Sequence, residues 1–372
     1  MIYLDNAATT RMFEGCVEII REYSCYDFYN PSAIYYSGAE KLSLLNEQRQ
    51  YIKKMINALS GDVIFTSGAT ESNNLAIFGS QRSGNCEYVF SNGEHPSVFN
   101  VAKSLEEKGS VVKFVNLQSN GQIDYEDLKN KLSSNTRLIS VMFVSNETGA
   151  INDISKIDEI RKQICPKALL HVDAVQAFCK INIDVAKWNV DLLTISAHKF
   201  HGPKGVGALY VKNKASLKNI VFGGGQEFGV RSGTENLPNI MAMMYAIKNI
   251  DIEKNYDLVK IKRQTLINIL KQDEGVKIRE IDGSPYILSV EFSGINGETL
   301  IHYLENDIII GIGSACSSKK AGNRILQNMG ESLDKIKSSV RISFNAYQSI
   351  DEIEKAGEII LKAYQDIKRR VS

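Results

Sequence analysis

The sequence predicts an α/β protein whose larger part is a mostly parallel β-sheet covered by helices on both faces, joined to a smaller α+β part. Two observations predict this. Up to about residue 250, short apolar runs alternate with amphipathic stretches and end in polar, glycine-containing tips. Beyond that point the pattern changes to charged helices interleaved with a few strand-like runs.

The runs can be taken in order. Asp62-Val-Ile-Phe-Thr66 reads as a strand, and Ser67 to Asn74 as a turn opening a helix. Glu87 to Ser91 and Val111 to Leu117 read as the next strands. Arg137 to Val144 is another, ending at Ser145-Asn-Glu-Thr-Gly149. Asp153 looks like an N-cap, because Ile154, Ile157, Ile160 and Ile164 follow at helical spacing. Leu169 to Val172, Leu192 to Ser196 and Gly207 to Val211 complete the set. After residue 250, Asp251 to Gln272 reads as a charged helix, Tyr286 to Phe292 as a strand, Glu298 to Leu304 as a helix and Val340 to Phe344 as a strand. Charged helices close the chain. No internal repeat, low-complexity tract or long linker is evident.

Composition narrows the function classes. The chain has 372 residues, 43% hydrophobic and 23% charged, with a formal net charge of +1. That balance argues against a strongly basic nucleic-acid surface. The most apolar stretches, Ile240 to Ile247 and Ile308 to Ile312, fall far short of the roughly 18–20 residues a bilayer requires. The N-terminus has no basic region followed by an apolar core, so no secretory leader is expected. Six cysteines, Cys16, Cys25, Cys86, Cys165, Cys179 and Cys316, form no C-x-x-C pair and have no histidine at zinc spacing. They fit a reducing cytosol better than a disulfide scaffold, and most of them read as small buried apolar residues, with no metal site.

Ligands of such sheets sit beyond the carboxyl ends of the strands, so the strand tips carry the functional reading. Asp191 to Lys199 runs from a buried strand into a polar tip, and Phe200 to Gly207 follows with several glycines. Taken alone, Lys199 reads as a solvated loop lysine. Placed in a pocket, its amine could form a Schiff base once burial or nearby cations lower its pKa. Asp173 ends the strand that begins at Leu169 and could pair with a protonated pyridine nitrogen; alone it could equally cap a helix. Ser67-Gly-Ala-Thr70 opens a helix with small residues that would let backbone N–H groups approach a phosphate. His95, in Gly93-Glu-His95, could stack on a planar cofactor and move protons. Each signal is modest; their order and shared position at strand ends make the combined reading a pyridoxal-phosphate site.

With those residues in place, the chain resembles the cysteine desulfurases, in the class V aminotransferase branch of the fold-type-I pyridoxal-phosphate enzymes. The matching segments are Tyr3 to Thr10, Asn30-Pro-Ser32, Thr66 to Ala76, Glu94-His95, Asn146 to Gly149, His171 to Gln176, Ser196 to Lys199, Gly202 to Gly205, Gly223 to Glu227, Arg231 to Thr234, Gly313 to Ser317 and Val340 to Ser343. The resemblance implies a large cofactor-binding domain over 15–250 and a small domain made of 1–14 plus 251–372. It implies that Lys199 holds pyridoxal 5'-phosphate as a Schiff base, Asp173 bonds the pyridine nitrogen, Gln176 the ring hydroxyl, and His95 stacks on the ring. Thr70, Ser196 and His198 hold the phosphate. Thr234 reaches the phosphate of a neighbouring subunit, which makes the protein a homodimer. Asn146 and Arg341 grip the substrate carboxylate, and Asn30 lies near the substrate.

Cys316 sits in Gly311-Ile-Gly-Ser-Ala-Cys-Ser-Ser318, followed by Lys319 and Lys320, a small and polar context unlike Ile164-Cys165 or Phe178-Cys179. An exposed loop beside two lysines favours the thiolate, the reactive form. The resemblance makes Cys316 the sulfur acceptor. L-cysteine displaces Lys199, the freed amine takes the α-proton, and the Cys316 thiolate attacks the substrate sulfur. Alanine and a persulfide result, with His95 carrying protons for the thiols. The sulfur then passes to an acceptor protein for iron–sulfur assembly, tRNA thiolation or a thiamine pathway. The chain ends soon after Arg341, without the extension that helps some housekeeping relatives dock the iron–sulfur scaffold. Ser145 and Tyr286 also depart from residues common in relatives. Competing readings are a selenocysteine lyase or another class V aminotransferase and, in a different class, a non-catalytic sulfur-transfer scaffold.

Overall fold

The computed structural model describes residues 1–279, 281–312 and 323–371. In chain order its strands are β1 (Ile2–Tyr3), β2 (Asp62–Thr66), β3 (Glu87–Ser91), β4 (Val111–Val115), β5 (Thr136–Met142), β6 (Leu169–Asp173), β7 (Leu192–Ser196), β8 (Gly207–Val211), β9 (Val276–Ile278), β10 (Ile287–Phe292), β11 (Ile308–Ile309) and β12 (Ser339–Ser343). Strands β2 to β8 form a seven-stranded sheet in the order β2-β8-β7-β6-β5-β3-β4. Strand β8 is antiparallel to both its neighbours, and the other pairings are parallel.

Two strands stop short of the apolar runs that announce them. Strand β4 ends at Val115 because the Asn116 N–H donates to Asp127 Oδ2 (2.7 Å) and Leu117 pairs locally with Ile123. Strand β5 ends at Met142, and Val144 then bridges Ile151. The Asp153 N-cap forms as expected: its Oδ1 accepts from the Lys156 N–H (3.1 Å), opening the helix Ile154–Ile164.

Strand alternation explains where a ligand can sit. Residues two apart on a strand share a face. Leu170, Val172, Leu193 and Ile195 belong to the core on one face of the sheet. Leu138, Leu169 and Leu192 belong to the core on the other, under the helices Ala69–Gly79 and Pro96–Glu107. Moving along that second face toward the carboxyl ends, the leucines give way to Ser140, His171 and Thr194. These are hydrogen-bonded across the strands (Ser140 Oγ to His171 Nδ1, 2.8 Å; His171 Nε2 to Thr194 Oγ1, 3.1 Å). Complete burial pushes His171 down to about 3, so the imidazole is neutral. One further step of two residues brings Met142, Asp173 and Ser196, on three adjacent strands, to the edge of the sheet.

The smaller unit is a three-stranded antiparallel sheet, β12-β10-β9, packed against the helices Ile252–Leu270 and Ile350–Val371. The first residues of the chain belong to its core: Ile2, Leu4 and Ala7 cluster with Val259, Leu288, Ile342 and Ile360, and β1 pairs with β11. From there the segment Asp5–Thr10 crosses back toward the large sheet. It is tied at one end by the Ala7 N–H to Ser343 Oγ (2.8 Å) and at the other by the Thr10 N–H to the His198 carbonyl (2.9 Å). Among the described residues no helix is long and apolar enough to cross a membrane.

Candidate active site

Met142, Asp173 and Ser196 open into a cavity of about 620 Å³ at the carboxyl ends of the large sheet. Its wall includes Thr70, His95, Asn146, Gln176, His198, Lys199 and Arg341, so most of the residues picked from the sequence meet in one place.

Lys199 follows β7 in a short 3₁₀ turn. Its Nζ donates to the carbonyls of Ala7 (2.7 Å) and Ala8 (2.6 Å). Burial, and next the Arg341 guanidinium, bring its pKa from 10.5 down to about 8, against the pull of Asp5 and Asp173. A lysine in this state offers free amine near neutral pH, which an ordinary lysine does not. The buried Asp173 accepts from Asn73 Nδ2 through Oδ2 (3.0 Å) and from the Val175 N–H through Oδ1 (3.0 Å). Those two bonds fix the carboxylate plane at the strand tip.

His95 caps the helix Pro96–Glu107, its Nδ1 accepting from the Ser97 N–H (3.1 Å). The neutral ring therefore carries its proton on Nε2. Burial lowers its pKa, with Asp173 opposing. The loop before it is held from afar: Arg324 donates to the carbonyls of Asn92 and Glu94, and its guanidinium lies 3.9 Å from the Phe99 ring centre.

The helix Ala69–Gly79 starts at the cavity with no side chain capping it. Gly68 has φ 146, a conformation that favours glycine, and a Cβ there would lie 3.7 Å from Ser196 Oγ. Glu71, in the first turn, accepts from the Ser67 N–H (2.7 Å) and pairs with Arg231 (2.6 Å). The backbone of Gly68 to Thr70, with Thr70, Ser196 and His198 around it, forms a concave donor-rich end suited to a phosphate. Burial, then Lys199, lowers the His198 pKa to about 4.

On the opposite wall Arg341 donates to Asp5 Oδ1 (2.7 Å) and to the Asn146 carbonyl (3.0 Å), with Glu147 Oε1 at 3.6 Å. A Cβ at the neighbouring Gly311 would lie 2.7 Å from Asp5 Oδ1, so a larger residue there would push on the Asp5 carboxylate that Arg341 binds. Arg341 Nε and Asn146 Oδ1 are buried without a hydrogen-bond partner among the described residues. Both residues line the cavity, so a substrate group placed there could satisfy them. The donor set thus fits pyridoxal phosphate with an amino acid: an amine, an acid at a strand tip, an uncapped helix start and a guanidinium.

Two expected site residues lie elsewhere. Asn30 and Thr234 are exposed and do not line this cavity. Their segments meet at the surface instead, where Ser32 Oγ donates to Glu235 Oε2 (3.4 Å). Cys316 lies outside the described residues. Its flanks are fixed at the site: Gly311 and Arg341 exchange backbone hydrogen bonds (3.0 and 2.7 Å), and Asn323 Nδ2 donates to Glu147 Oε2 (2.9 Å). Of the other cysteines, Cys16, Cys165 and Cys179 are buried, Cys86 is half-buried and Cys25 is exposed.

The geometry adds residues that received no role from the sequence: the Ala7–Thr9 strap, Asn73, Glu147 and Arg324. The strap lay within a recognised motif, Tyr3 to Thr10; its role depends on contacts with residues nearly two hundred positions away and has no local signature.

A sheet of this order, with a lysine, an acid and a helix start converging beyond its carboxyl ends, is the architecture of the fold-type-I pyridoxal-phosphate enzymes. The model of the aminotransferase class-V family matches residues 2–356, and the chain belongs to that family. Within it the chain stands among the cysteine desulfurases. It is 39% identical to cysteine desulfurase IscS 1 of Archaeoglobus fulgidus over 332 residues, which covers 86% of this chain and 85% of that one. A solved NifS-like protein superposes with a TM-score of 0.91 at 30% identity, covering 98% of this chain and 99% of that one. The structure of SspA in complex with cysteine gives a TM-score of 0.82 at 29% identity, covering 94% and 100%.

The lowered Lys199 pKa has a measurable consequence. Only the unprotonated amine condenses with an aldehyde. The rate at which cofactor-free protein takes up pyridoxal phosphate, followed by absorbance after rapid mixing, should climb with pH and level off above about 8. A rate still climbing toward 10.5 would show an unperturbed lysine.

Proposed function

We propose that this enzyme removes sulfur from L-cysteine, yielding L-alanine and a persulfide on Cys316, and passes that sulfur to an acceptor protein. The observation that carries the proposal is the single cavity in which the Lys199 amine, the Asp173 carboxylate, the uncapped helix start and Arg341 face one another.

When bound, pyridoxal phosphate supplies an electron sink that makes the α-proton of an attached amino acid acidic. Lys199 would hold it covalently, Asp173 would keep its ring nitrogen protonated, and Gln176 would donate to its ring hydroxyl. Gly68 to Thr70, Ser196 and His198 would hold its phosphate, and His95 would lie against its ring. Arg341 and Asn146 bind the carboxylate of L-cysteine, Arg341 through a planar fork that can reach both oxygens. Lys199, displaced by the substrate amine, accepts the α-proton. The Cys316 thiolate attacks the substrate sulfur; the S–S bond forms as the C–S bond breaks, and the bonding pair stays on carbon, which is then protonated to alanine. His95, with its proton on Nε2, is placed to exchange protons with the thiols.

The acting unit is a homodimer. Tyr26, Phe28, Ile34, Tyr35 and Tyr36 are each more than half exposed on one stretch of surface next to Asn30, an apolar patch of the kind a second copy would cover. In that arrangement Asn30 and Thr234 act on the partner's cavity rather than their own. The two domains are taken as 15–250 and 1–14 plus 251–372, in keeping with the N-terminal residues in the smaller core. A reducing cytosol suits a free Cys316 thiol. The acceptor is an iron–sulfur scaffold or a tRNA-thiolation protein.

Alanine release from L-cysteine and from L-selenocysteine tests the reading against its rivals. Alanine from both substrates is expected, with protein-bound sulfur formed from cysteine. Alanine from selenocysteine alone would make the enzyme a selenium lyase; alanine from neither would leave an aminotransferase or a scaffold.

A further inference from the structure

Behind Lys199, on the side away from the cavity, lies a small internal gap lined by Lys180, Cys179, Phe200, His201, Tyr286 and Tyr347. Lys180 is 5% exposed. Its Nζ donates to Gln176 Oε1 (2.9 Å) and lies 5.6 Å from the centre of the Tyr286 ring. Among the described residues the charged and titratable groups acting on it are Lys199, Arg341 and Cys179, with His198 nearby and His201, Tyr286 and Tyr347 across the gap, and none of these is a carboxylate. A buried ammonium without an anionic partner is costly. Burial, and next Lys199, bring it down to about 7. The mechanism outlined above makes no use of it.

Its geometry gives it a task. An amide side chain can present either its oxygen or its nitrogen to a neighbour. As an ammonium Lys180 can only donate, so it holds Gln176 Oε1 on its own side. Gln176 Nε2 is thereby turned the other way, where one hydrogen goes to the Ala7 carbonyl (2.9 Å). The second hydrogen is left for the cavity, which Gln176 lines. Without Lys180 the amide is held in this orientation by the Ala7 carbonyl alone.

We propose that Lys180 is a positioning residue that locks the Gln176 amide so that Nε2 donates to the cofactor's ring oxygen. The inference rests on the reading of this cavity as a pyridoxal-phosphate site. A donor at that oxygen stabilises its anionic form and so weakens its hold on the proton it shares with the Lys199 nitrogen.

The test is a spectroscopic pH titration of the cofactor-loaded protein, in which the colour change reports that shared proton. Lys180→Met is expected to remain coloured, because Lys199 is intact, and to move the midpoint upward by about one pH unit, a tenfold change in proton affinity. Gln176→Leu should give a similar shift, and the double variant no more than either single one, since both act through one hydrogen bond. Lys180→Arg, which keeps a cationic donor, should restore the wild-type midpoint. Should Lys180→Met be insoluble, Lys180→Ala is read in the same way. A wild-type midpoint in the truncation, additive shifts in the double variant, or no rescue by arginine would each overturn the proposal while leaving the cofactor reading intact. A wild type that takes up no cofactor would overturn that reading first.

Discussion

Lys199→Ala is expected to abolish the visible absorbance of the cofactor-loaded protein and to lower alanine formation from cysteine by about 10³-fold or more. The size of the effect follows from two roles lost together, the covalent hold on the cofactor and the base that takes the α-proton. Other amines nearby are poor replacements. Lys180 is buried on the far side of Lys199 and bonded to Gln176. Lys204 lines the cavity but is exposed. Added small amines should restore part of the activity by supplying a base, without restoring the covalent link. A variant that stays coloured and turns over at the wild-type rate would remove Lys199 from the mechanism.

Cys316→Ser is expected to separate the two halves of the chemistry. The variant should load with cofactor and bind L-cysteine as the wild type does, because Lys199, Asp173, Gln176, Asn146 and Arg341, which line the cavity, are unchanged. It should form no persulfide, and alanine release with a thiol reductant present should fall by about 10²–10³-fold. A hydroxyl cannot replace the thiolate as a sulfur acceptor, since it is not ionised near neutral pH and is a weak nucleophile toward sulfur. In the wild type without acceptor or reductant, alanine should appear as one equivalent per site and then slow, because a Cys316 already carrying sulfur has no free thiolate. Desulfuration by Cys316→Ser at the wild-type rate would place the nucleophile elsewhere.

These expectations were legible in the sequence to different depths. The strands could be read because β6 and β7 are buried along their whole length, and their apolar runs end where the buried surface ends. The cofactor residues could be read because sheet topology forces strand tips together: Asp173 and Ser196, separated in sequence, end adjacent parallel strands on one face. The phosphate cradle was visible as small residues at a helix start. The parts that escaped depend on contacts with no local signature. Ala7 and Ala8 matter through their carbonyls, which accept from Lys199 and, for Ala7, from Gln176 as well. Asn73 lies within the matching segment Thr66 to Ala76, but its role shows only when its amide meets Asp173. Lys180 carries no local signature, and only its burial against Gln176 distinguishes it. By resemblance Thr234 carried a role across subunits and Asn30 one near the substrate; neither lines its own chain's cavity, and the proposed assembly uses both across subunits.

The central claim is that sulfur leaves cysteine and arrives on Cys316. It is tested most directly by giving cofactor-loaded wild-type protein one equivalent of sulfur-labelled L-cysteine, counting the alanine released, and locating the label by mass spectrometry of the unreduced peptides. The account predicts one alanine for each labelled sulfur, with the label on the peptide containing Cys316 as an added sulfur atom. Label on a peptide carrying Cys16, Cys25, Cys86, Cys165 or Cys179 instead, or alanine released with free sulfide and no labelled peptide, would contradict it.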